Sequence, residues 1–152
     1  MSEPDDIFEA RRERLVGYRL PGGEFRVQPH ERWLSHDAML NPGIPEPLLH
    51  PSWILLGGLR GMGMSIDDLI RLADSDPESG VVFGETELEQ FRPLVADQRY
   101  LVSGEITDLR RRTTQRAGVI DLLDFRLDIR NESGELVASH TETFFFPRSE
   151  ER

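Results

Sequence analysis

The run His50-Pro-Ser-Trp-Ile-Leu-Leu-Gly-Gly-Leu-Arg-Gly-Met-Gly-Met64 constrains this chain more than any other, because it alone is long and apolar enough for a buried helix. Pro51 suits a first helical position, where its missing N–H would have no intrahelical partner, which makes His50 the N-cap. Trp53, Ile54, Leu55, Leu56 and Leu59 then form a body that is apolar on nearly every side, as in a protein core or a membrane. At about 14 residues it falls short of the ~20 that span a bilayer, so the spacing predicts a core helix within residues 48–64. The rest of the chain must wrap it.

Gly57, Gly58, Gly61 and Gly63 interrupt this helix, and each interior glycine costs about 1 kcal/mol relative to alanine. Two readings account for them. A strand or second helix approaches the bared backbone closely, or a ligand lies along the glycine face with an exposed N–H aimed at its carbonyl oxygen.

With 152 residues, 38% of them hydrophobic, the chain forms one domain with a sufficient core. Its formal net charge of -10 argues against a nucleic-acid or anionic-membrane surface and leaves small metabolites or other proteins as partners. Without cysteine there is no disulfide, thiolate metal ligand or cysteine nucleophile. The acidic start Met-Ser-Glu-Pro-Asp-Asp lacks the apolar segment of a signal peptide, so the cytoplasm is the expected location. No metal and no cofactor is expected.

Residues 1–20 read as an N-terminal arm, either a weakly amphipathic helix or an extended segment. Glu24 to Gln28 alternates as a strand that Pro29 stops, and residues 30–47 read as a loop rich in proline near its end. Ser65 and Asp68 mark the start of a second helix through Leu69, Ile70, Leu72 and Ala73. Strand patterns then follow over residues 81–91, 99–110, 118–130 and 135–146, the last two joined by the turn Asn131-Glu-Ser-Gly134. In the third, Asp121 shares a face with Val119, Leu123, Phe125, Leu127 and Ile129, while Asp124, Arg126, Asp128 and Arg130 face water. The sum is an α+β protein: an antiparallel meander over 81–147, curled around the central helix.

Three segments carry a family likeness. Pro47-Leu-Leu-His-Pro-Ser-Trp53 looks like an entry to a central helix, Phe91-Arg-Pro-Leu-Val-Ala-Asp97 like an F-x-P-(L/I/V)-x-x-G-D turn, and Asn131-Glu-Ser-Gly-Glu-Leu-Val137 like an N-x-x-G-x-x-V hairpin. In this order the chain resembles the hot-dog fold, and within it the MaoC-like acyl dehydratases and hydratases, nearest to the N-terminal halves and non-catalytic subunits of 3-hydroxyacyl-thioester dehydratases. Ala96 departs from the pattern, standing where the family has glycine.

The resemblance implies a homodimer, or a heterodimer with another hot-dog chain, whose sheets join edge to edge. It also implies an acyl thioester of coenzyme A or acyl carrier protein as ligand, lying by the central helix near His36, Trp53, Gly57, Gly58 and Gly61. Catalytic members carry G-D-x-N-P-x-H before that helix. Here Asp37 and Asn41-Pro42 echo the motif, but no histidine follows two positions after Pro42.

Enoyl-thioester hydration needs a base for water, an acid for the α-carbon and donors for the enolate oxygen. Asp37 with His50 is the candidate pair, although three prolines separate them. The plain alternatives are a turn-forming Asp37, a capping His50 and a solvent-facing His36. His140 reads as a core-edge histidine that Glu142 can meet, and the spacing of His30, Glu31 and His36 matches no metal site. Arg110, Arg111 and Arg112, with Arg116, form either a solvated run at a hairpin tip or a cradle for a coenzyme A phosphate. A protein-interaction module without a ligand and a hot-dog thioesterase are the alternative functions. The thioesterase fits less well, since residues 51–64 contain no carboxylate.

Overall fold

The structure is a computed structural model describing residues 3–41 and 43–148, so Pro42 of the Asn-Pro echo and the first two residues of the arm lie outside the described residues. Its elements run α1 (Glu3–Leu15), β1 (Gly23–Arg26), α2 (Pro29–Ala38), α3 (Ser52–Gly61), α4 (Ile66–Leu72), β2 (Val82–Gln90), β3 (Arg99–Thr114), β4 (Gly118–Arg130) and β5 (Leu136–Pro147). Among the described residues no helix is long and apolar enough to cross a membrane.

The central helix α3 starts one residue later than its sequence suggests, with Pro51 rather than His50 at the N-cap position. Pro51 already has helical dihedrals (φ -55°, ψ -23°), and the His50 carbonyl accepts the Trp53 N–H at 3.0 Å. Trp53 and Ile54 are buried, and the apolar sheet residues Phe25, Tyr100, Val102, Phe125, Leu127 and Phe144 lie in the same core. Ser65 Oγ caps α4 by accepting the Asp68 N–H at 3.0 Å.

Two further expectations are corrected. Residues 30–47 are not all loop, because α2 occupies Pro29–Ala38. Pro29, read as the end of a strand, instead opens this helix: Gln28 stands extended before it, and the Gln28 N–H donates to Glu31 Oε2 at 2.8 Å. The meander is also incomplete. Strand order is β1-β3-β4-β5-β2, so β2 lies beyond β5 rather than beside β3. The connection from β2 to β3 crosses the approach to α3, where the Leu49 N–H donates to the Leu94 carbonyl and the Ala96 N–H to the Pro47 carbonyl. Ala96 is accommodated because the left-handed conformation falls on Asp97 (φ 62°).

Candidate functional site

The site grows from the contact between α2 and the start of α3. Trp53 donates its indole N–H to Ser35 Oγ at 3.1 Å, and Arg60 lies over the Trp53 ring while reaching Glu31 at 3.0 Å. The His50 N–H donates to His36 Nε2 at 3.1 Å, and the Ser52 N–H donates to His50 Nδ1 at 3.1 Å. These two bonds fix both neutral tautomers, with the proton on Nδ1 in His36 and on Nε2 in His50. Burial, reinforced by the nearby Arg32 charge, holds the His36 pKa below its ordinary value, which favours the neutral ring.

Arg32, Trp33, His36, Asp37, Leu40, Asn41 and Ile44 line a half-open cavity of about 410 Å³ beside this contact. Arg32 belongs to its wall more than to its contents, since its guanidinium donates to the Leu48 carbonyl at 2.7 Å and the Ile44 carbonyl at 2.8 Å. Trp33, 64% exposed, and Leu40 supply apolar surface at the mouth.

The sequence candidates separate in space. His36 and Asp37 share the cavity wall, because in a helix neighbours lie about 100° apart rather than on opposite sides as in an extended segment. His36 is buried, not solvent-facing. His50 stands behind His36, with ring centroids 6.5 Å apart, and caps the Ser52 N–H. Trp53 is committed to Ser35, and Gly57, Gly58 and Gly61 face the sheet: added Cβ atoms would meet Phe25, His140 and Val102.

The arginine triplet is divided. Arg111 turns inward to Asp121 at 2.7 Å, Arg110 reaches Asp124 at 2.8 Å, and Arg112 is exposed. Arg32 and Trp33 carry no mark of a site in the sequence, whereas Asn41 stands in the Asn-Pro echo and does line the cavity. The signal that would have found the first two was Gln28-Pro29 with Glu31, a helix start that places Arg32 and His36 one turn apart.

A second titratable group lies under α3. His140 and Glu142 are fully buried on β5; the His140 ring approaches the Ile54 carbonyl, and Glu142 Oε1 accepts the Thr86 hydroxyl at 2.6 Å. Among the described residues His140 Nε2 and Glu142 Oε2, 3.6 Å apart, have no hydrogen-bond partner, so the expected core-edge histidine is only half satisfied. Burial pushes the His140 pKa down and the Glu142 pKa up. In the unfolded chain a glutamate loses its proton near 4.3, whereas folded Glu142 keeps it to higher pH. Stability from this group is therefore present at low pH and lost as pH rises through the folded pKa, by up to tenfold in the unfolding constant per pH unit. His140 has the opposite sense, its contribution falling as pH drops below about 6.5. Glu142→Gln should flatten the alkaline limb of stability measured by urea unfolding between pH 5 and 9, whereas parallel curves for variant and wild type would show that Glu142 does not titrate there.

No protein-family model and no curated protein sequence matches the chain. Solved structures do. A chain of the ChsH1-ChsH2 complex from Mycobacterium tuberculosis superposes with a TM-score of 0.68 at 16% identity, over 97% of this chain and 93% of that one. A monoamine oxidase regulatory protein from Archaeoglobus fulgidus gives 0.64 at 15% identity over 88% and 91%. The 3R-hydroxyacyl-ACP dehydratase complex HadBC from Mycobacterium tuberculosis gives 0.62 at 16% over 86% and 96%. At these identities what is shared is the architecture, and the chain has the hot-dog fold, an antiparallel sheet wrapped around a buried central helix.

Proposed function

We propose that this chain binds an acyl thioester of coenzyme A or acyl carrier protein as the non-catalytic member of a pair of hot-dog chains. The observation that carries the reading is the state of the two histidines. Each has its lone pair taken by a backbone N–H, His36 by that of His50 and His50 by that of Ser52. What remains to each is a donor, and neither is placed to take a proton from water.

The start of α3 supports the same reading. The N–H groups of Ser52, Trp53 and Ile54, suited by position to an enolate oxygen, donate to His50 Nδ1, the His50 carbonyl and the Pro51 carbonyl. Among the described residues no hydrogen bond joins Asp37 to His36 or His50, so the candidate dyad has a carboxylate without an imidazole to orient. The cavity is nonetheless suited to binding. Trp33, Leu40 and Ile44 offer apolar surface to acyl methylenes, and the remaining Nδ1–H of His36 is a donor for a thioester carbonyl.

Trp33 on the wall makes binding measurable by intrinsic fluorescence. Titration with crotonyl to dodecenoyl thioesters of coenzyme A and of acyl carrier protein should give a saturable change for at least one carrier. Hydration by the chain alone should stay at the buffer rate and appear only beside a hot-dog chain with an intact Asp/His motif. Wild-type turnover that Asp37→Asn abolishes would establish an active hydratase instead, and absence of binding across both series would remove the thioester.

A further inference from the structure

β2 closes one edge of the sheet with nine residues, all of them exposed, whereas the opposite edge is the four-residue β1. A long bare edge is a template for another strand. Its two faces differ. Phe83 and Leu88 belong to the inner face, each directly opposite a buried β5 residue, Phe144 and His140 respectively, yet they remain 51% and 39% exposed. Val82 on the outer face is 52% exposed, and Phe91 just past the strand 53%. Apolar surface of this kind on an edge calls for a cover.

The outer face restricts what that cover is. Glu85, Glu87 and Glu89 alternate along it, opposite Thr143, Thr141 and Ser139 of β5, and among the described residues none of the three has an ion-pair partner. The nearby cations on that face are engaged: Arg110 with Asp108 and Asp124, Arg126 with Asp128. When two copies of one strand pair antiparallel about a twofold axis to continue a sheet, residues directly opposite point to the same face. Glutamates of one copy would then oppose glutamates of the other wherever the axis falls within 85–89. Like charges directly opposite destabilise a pair, so the edge disfavours itself.

We propose that β2 is the docking edge for a second, different hot-dog chain whose matching edge strand carries arginine or lysine on its outer face, and that the acidic ladder keeps two copies of this chain from pairing there. The inference rests on the reading of the chain as one member of a pair and names the chemistry of the other. It turns the expectation of a dimer in solution towards a heteromer.

A charge swap within the chain itself tests it, since all three glutamates are exposed and, among the described residues, without an ion-pair partner. The probe is the triple variant Glu85→Arg, Glu87→Arg, Glu89→Arg, examined by sedimentation velocity alone, against wild type alone, and as an equimolar mixture. At about 0.05 M salt each protein alone should be mostly monomeric, and the mixture should associate at least tenfold more tightly than either. At about 1 M salt, where the screening length falls to roughly 3 Å, the gap should close from both sides. Equal association of wild type alone and of the mixture, or no association of the mixture, would overturn the proposal. Thioester binding by Trp33 fluorescence is read separately, so failure of the ligand reading and failure of the edge reading are distinguishable.

Discussion

Asp121→Asn is expected to lower stability by about 3–5 kcal/mol, near the upper limit for one isosteric substitution. Asp121 is fully buried and receives three arginines: Arg11 at 3.0 Å, Arg111 at 2.7 Å and Arg148 at 2.9 Å. These come from α1, β3 and the residue after β5, and Arg148 continues to the Ala73 and Asp74 carbonyls at the end of α4. One carboxylate thus joins most of the elements at that end of the sheet. An amide of the same shape keeps the packing but loses the charge that the desolvated guanidiniums oppose, which is why removing one partner of a buried ionic cluster costs more than the cluster itself is worth. Urea unfolding measures it, and a loss under about 1 kcal/mol would show that water or other groups satisfy the arginines without Asp121. Arg111→Ala should likewise act on stability, whereas a coenzyme A phosphate role would place its effect on thioester affinity.

What was legible in the sequence was local. Ser65 with Asp68, the Asn131–Gly134 turn and the alternation in β4 each depend on residues a few positions apart, and all three stand in the structure. The α2 helix was missed because Pro29 ends a strand and opens a helix with the same fixed φ, so the choice falls to Glu31, which a reading of the proline alone overlooks. The position of β2 was illegible for another reason: alternation reports which face of a strand is buried and says nothing about its lateral neighbour. The site shows the same limit. His36, read as exposed, is buried because the His50 backbone reaches it from beyond a loop, and Arg111 is drawn inward by an aspartate on the adjoining strand. Long-range pairing of polar groups leaves no period in the sequence.

Gly57→Ala should decide what the glycines of α3 are for, because the two readings predict opposite signs. An alanine in a helix interior is favoured over glycine by about 1 kcal/mol, so a glycine kept for a ligand face should be replaced with a gain in stability when ligand is absent. The structure gives the substitution no room. A Cβ at position 57 would stand 2.5 Å from Phe25 Cζ, and Phe25, only 3% exposed, is stacked on Tyr100 with ring centroids 5.4 Å apart. With the ring buried and stacked in this way, overpacking of about 1–3 kcal/mol should outweigh the propensity gain and leave a net loss. Shortening the obstacle supplies the control. Phe25→Leu alone leaves a cavity and is destabilising, but combined with Gly57→Ala it should cost less than the two changes added, because the new methyl group occupies part of the vacated volume. Thermal or urea unfolding of the four proteins closes the cycle, and stabilisation by Gly57→Ala, or additivity of the pair, would return the glycine face to a ligand.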